Sequence, residues 1–96
     1  MRVDVSLPRL VGTRQSAREL FEAAVADHHH VDTLVLRARA VLNAAPSFVD
    51  EIVRLSAEHG IDTIELVGES TELHKQFEEA ATRREGKVKI VSAALV

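Results

Sequence analysis

At 96 residues the chain has room for one domain, 1–96, built around one modest core. Its 46% hydrophobic and 28% charged content suits a globular fold rather than a disordered chain, and the absence of cysteine excludes disulfides, thiolate metal sites and a cysteine nucleophile. A net charge of −3 and aromatics limited to three Phe disfavour nucleic acid as a partner.

Residues 3–7 alternate, with Val3, Val5 and Leu7 opposite Asp4 and Ser6, which predicts a half-buried strand. Pro8 ends it or sets it at an edge, because proline cannot donate to a ladder. Gly12 and Thr13 form a turn, with Thr13 as N-cap of a helix over 14–26. Ala17, Leu20, Phe21, Ala24 and Val25 line one face of that helix. Residues 28–30 are a run of histidines in the following connection. Three adjacent imidazoles do not converge on one ion, so no metal site is expected. The strand over 31–37 carries Leu34, Val35 and Leu36 in succession, the pattern of an interior strand covered on both faces. Residues 37–43 fit no element clearly.

The stretch 44–60 is the best-marked helix. Ser47 and Asp50 form an [ST]-x-x-[DE] capping pattern, with Asp50 and Glu51 then expected in the first turn. Phe48, Val49, Ile52, Val53 and Leu55 give a broad apolar face, and His59 with Gly60 stops the helix. A second interior strand spans 61–67, broken by Gly68. Ser70 or Thr71 caps a third helix that buries Leu73, Phe77, Ala80 and Ala81 and ends near Arg83, Arg84 and Gly86. Residues 87–91 alternate Lys87 and Lys89 with Val88 and Ile90, as in a guarded edge strand, and the tail over 92–96 extends or covers it. The order β-α-β-α-β-α-β predicts an α/β fold with a four-stranded, mostly parallel sheet. The first strand is left free to pair either way.

No P-loop, GxGxxG, GxSxG or HExxH is present, so neither an enzyme nor a cofactor is expected. No apolar run approaches the roughly 20 residues of a membrane helix, and the N-terminus has no signal-peptide architecture, which makes the cytoplasm the expected location. Ligands of open α/β sheets bind at the carboxyl ends of the strands. Residues 44–50, 68–71 and the arginines Arg14, Arg37 and Arg39 all belong to that end.

The GTRQSARELFEAA helix, the apolar strand after it, the APSFVDEIVRL helix and the IELVG strand together resemble the STAS-like domain family, compact relatives of bacterial anti-sigma factor antagonists. Gly12 and Arg14 match the G-x-R start of the first helix, and Ser47, Phe48, Asp50 and Glu51 match an S-F-x-D-E motif. The resemblance spans roughly residues 3–91. Arginines and alanines stand where members carry an acidic residue after the central strand, and Phe48 follows Ser47 where sigma-regulator relatives have a nearby glycine. The resemblance implies a non-enzymatic signalling module whose partner is a histidine-kinase-like ATPase or an anti-sigma factor. It makes Ser47 the candidate phosphoacceptor. The expected contact surface is Ser47, Phe48, Asp50 and Glu51, with Gly68, Ser70 and Thr71 beside it. Two alternatives stand next to this: a small-ligand or anion-binding domain, which the acidic residues Asp50 and Glu51 argue against, and a structural domain forming a homodimer through its edge strands.

Overall fold

The computed structural model describes residues 1–93. Its main sheet contains β1 (Arg2–Ser6), β3 (Thr33–Arg37), β5 (Thr63–Val67) and β6 (Lys89–Ser92), all parallel and adjacent in that order. The helices are α1 (Arg14–Val25), α2 (Pro46–Glu58) and α3 (Thr71–Arg83). Strand order follows chain order, and parallel crossovers are right-handed, so every crossover helix falls on the same face. There α1 packs on α2 and α2 on α3. The predicted α/β architecture is therefore present. The first strand, left open by its sequence, pairs parallel.

The core lies between this helical layer and Val3, Leu34, Leu36, Ile64 and Leu66 of the sheet. Phe21, Phe48 and Phe77, one from each helix, are its largest buried side chains. Leu20 stays at its edge, partly buried, because α1 lies at one side of the layer.

The opposite face of the sheet carries no helix among the described residues. This corrects the expectation that the interior strands are covered on both sides. Val35 is only 2% exposed, yet it lies outside the main core. It shares a register row with Asp4 and Glu65. Arg2 of β1 reaches over β3 to Glu65 of β5 at 2.5 Å, and Arg37 pairs with Asp4 at 2.7 Å. The aliphatic stems of these arginines shield Val35 while their charged ends meet carboxylates.

The stretch 37–43, unassigned from sequence, runs into a second sheet at Asn43. β2 (Leu10–Val11) and β4 (Asn43–Ala44) form a parallel two-stranded ribbon. It lies beyond the carboxyl ends of β1 and β3, ahead of α1 and α2. Two residues per strand are too few to show any alternation. Lys87 and Lys89 are exposed as predicted, and the Ala93 N–H donates to the Leu66 carbonyl at 2.8 Å, continuing the β6 pairing. The rest of the apolar tail, 94–96, lies outside the described residues.

Candidate functional site

The start of α2 differs from its sequence pattern. Ala45, in an extended conformation (φ −78°, ψ 139°), is the N-cap, and no side chain caps the helix. Pro46 occupies the first helical position, where its missing N–H removes nothing and its fixed φ suits the helix. The N–H groups of Phe48 and Val49 instead find the Ala45 carbonyl, at 3.0 and 3.3 Å. Ser47 is thus the second residue inside the helix and not its cap. Asp50 and Glu51 move into the second turn, past the region where the helix dipole favours a carboxylate.

Those two carboxylates are surrounded by arginines from all three helices. Glu51 is 2% exposed. Arg54 binds it through both carboxylate oxygens, Nη2 to Oε2 at 2.5 Å and Nε to Oε1 at 2.9 Å. Arg14 adds a bond to Oε1 at 3.2 Å, and Arg18 approaches Oε2 at 3.6 Å. The Arg54 hydrogen bonds, working against desolvation and helped by Arg14 and Arg18, hold the Glu51 carboxyl down to about 2. Asp50 receives Arg14 at 3.0 Å and Arg84 at 3.1 Å, with Arg83 at 3.8 Å. Burial pushes the Asp50 carboxyl up, but the Arg14 and Arg84 bonds outweigh it and leave the group below its ordinary value.

This arrangement reverses the sign of the surface expected from the sequence. Glu51 is enclosed and Asp50 mostly covered, while the arginines around them keep more of their surface in solvent, with Arg14 48%, Arg83 55% and Arg84 35% exposed. Arg14, Arg83 and Arg84 border an open depression together with Pro46, Ser47 and Asp50. The Arg84 Nε is buried there without a hydrogen-bond partner among the described residues. Of the residues predicted to form a contact surface, Ser47 remains partly accessible. Phe48 is 1% exposed and belongs to the core, and Glu51 is enclosed by its arginines, so neither presents itself to a partner.

Gly68, Ser70 and Thr71 line a different depression, with Glu69, His74, Ser92 and Ala93. The structure therefore does not unite them with Ser47 in one concavity. Ser70 is the N-cap of α3, its Oγ accepting from the Leu73 N–H at 3.1 Å. Gly68 has φ +72°, which favours glycine, and a Cβ there would also crowd the Cβ of Arg39 at 3.2 Å. Arg37, grouped with Arg14 and Arg39 from sequence, leaves that group for Asp4 on the open face.

The second depression holds a polar network that sequence reading missed. Ser92 Oγ donates to Glu69 Oε2 and lies 2.9 Å from His74 Nδ1, while His74 Nε2 lies 2.8 Å from Glu78 Oε1. Burial pushes the Glu69 carboxyl up, and the bonds from Ser92, its own backbone and His74 bring it below its ordinary value. Only the i, i+4 pair His74–Glu78 was visible in the sequence. Likewise, Glu51–Arg54 and Arg54–Glu58 at i, i+3 and i, i+4 were the available signal for the cluster around Glu51.

Among the described residues no three His, Asp or Glu side chains are grouped to hold a metal ion, and no helix is long and apolar enough to cross a membrane. Comparison with protein-family models, with curated proteins and with solved structures found no match.

Proposed function

We propose that this chain is a cytoplasmic, non-enzymatic regulatory module that binds a protein partner at the front of α2 and is switched at Ser47. The observation that carries this reading is the position of Ser47. The residue does not cap the helix, is partly accessible, and lines the same depression as Arg14, Arg83 and Arg84. A phosphate added there would meet guanidinium groups and the positive end of a helix rather than bare carboxylates. It would draw those arginines onto itself and withdraw them from a partner. The partner class follows from the STAS-like resemblance: a histidine-kinase-like ATPase or an anti-sigma factor.

The test is co-purification from the native host with wild type, Ser47→Ala and Ser47→Asp in parallel, with mass spectrometry of Ser47. A partner kept by wild type and Ser47→Ala but lost by Ser47→Asp supports the switch. Equal recovery in all three rejects it.

The same arginines favour a second reading, an anion-binding domain, against which the acidic motif had argued from sequence. Here the ligand would be a free anion held by Arg14, Arg83 and Arg84. A rise in melting temperature with inorganic phosphate, absent at matched chloride ionic strength and lost in Arg83→Gln, Arg84→Gln, supports it. No phosphate-specific rise removes it.

A further inference from the structure

Among the described residues, the β2–β4 ribbon and the turn leading into it carry two of the three large apolar side chains that are strongly exposed: Leu10 at 69% and Leu42 at 64%. Neither anchors the ribbon. That role falls to Val11, which is 2% exposed and joined to the core, with Ala44 packed beside it. The backbone adds Leu42 N–H to the Arg9 carbonyl at 2.9 Å and Ala45 N–H to the Val11 carbonyl at 2.9 Å. A ribbon held this way needs only polar residues on its outer positions.

The arginines left without an ion pair among the described residues lie at the same place, while the other unpaired cations, Lys75, Lys87 and Lys89, lie on α3 and at β6. Arg2, Arg14, Arg18, Arg37, Arg54, Arg83 and Arg84 each reach a carboxylate. Among the described residues Arg9 and Arg39 have no ion-pair partner, and both are exposed. Arg9 directly precedes Leu10, and Arg39 lies in the turn that leads into Leu42. Exposed leucines and unpaired guanidiniums thus lie on the ribbon and on the two segments that lead into it, at the carboxyl end of the sheet.

We infer that the β2–β4 ribbon is a docking site for an acidic, leucine-bearing segment of another protein. The leucines offer apolar contact, and Arg9 with Arg39 selects carboxylates. Glu72 borders Leu42 from the α3 side, which directs the acidic residues of the segment toward Arg9 and Arg39. A second copy of this chain fits poorly, since joining two ribbons brings four unpaired guanidiniums together. None of these residues lines the Ser47 depression, so the ribbon and the switch at Ser47 are separate sites.

The probe is a fluorescein-labelled amphipathic peptide with leucines at helical spacing and glutamates elsewhere, compared with its isomer carrying lysine in place of glutamate. Anisotropy titration should give saturable binding of the acidic peptide alone. Leu10→Ser, Leu42→Ser should weaken it about tenfold or more, and Arg9→Glu, Arg39→Glu should transfer preference to the lysine peptide. Both variants alter exposed side chains and should keep the wild-type melting temperature. Ser47→Asp should bind the acidic peptide as wild type does, which separates this site from the switch. No binding of the acidic peptide, or binding unchanged by the leucine pair, would overturn the inference. So would binding of phosphatidylglycerol vesicles in its place, lost in the same variants, which would make the ribbon a membrane contact.

Discussion

The starts of α2 and α3 resemble each other in sequence and differ in construction. Each has a serine near its first turn followed by acidic residues. In α3, Ser70 stands outside the helix and its Oγ takes the Leu73 N–H, so the side chain is consumed by the fold. In α2 the presence of Pro46 shifts the helix start back to Ala45 and leaves Ser47 inside, uncommitted, beside three arginines. A serine that caps is explained by its cap. A serine released from capping and set in a charged depression is available for chemistry or recognition.

The largest expected effect lies beneath this surface. Phe48→Ala should destabilise the protein by about 3–5 kcal/mol, because the ring is enclosed. Denaturant unfolding would measure it, and a loss below about 1 kcal/mol would mean that α2 buries a different face.

Next comes the support of the arginine ring. Glu51→Gln should cost on the order of 3 kcal/mol, since it removes the charge that holds Arg14, Arg18 and Arg54 together. The pH dependence has a definite sign. The folded carboxyl sits at about 2, below its ordinary 4.5. Its contribution is therefore complete above about pH 4.5 and fades as pH falls toward 2. Urea unfolding at pH 6 and pH 3 should show the wild type losing stability relative to Glu51→Gln. Parallel pH profiles would contradict the enclosed carboxylate.

Much of the fold was legible because long elements carry long patterns. The faces of α1, α2 and α3 and the apolar strands emerged from their patterns, and Thr13 was legible as a cap from its residue type. Ser70 was one of two cap candidates, with Thr71, between which the structure decides. What escaped was set by contacts distant in sequence. The ribbon joins Leu10 to Asn43, and the ring around Asp50 and Glu51 joins α1, α2 and α3. The Ser47 capping pattern misled because [ST]-x-x-[DE] does not say where the helix begins, and Pro46 decided that. Val35 misled differently: an apolar run in a strand looks alike whether a helix or a pair of bridged arginines lies over it.

The helix starts also differ in a smaller and more selective way. Ser70→Ala should cost about 1 kcal/mol as a lost cap. Ser47→Asp should raise stability by about 0.5 kcal/mol at low salt, through the helix N-terminus and the neighbouring arginines, and the gain should shrink in high salt. A salt-insensitive loss of stability in Ser47→Asp would place that side chain away from Arg14, Arg83 and Arg84.

The most direct test of the central claim, that Ser47 is free of structural duty, sets Ser47→Ala against Ser70→Ala in one chemical-denaturation series. Ser47→Ala should change stability by less than about 0.5 kcal/mol, while Ser70→Ala loses about twice that or more. Equal losses at the two serines would make Ser47 a cap like Ser70 and would contradict a start of α2 at Pro46.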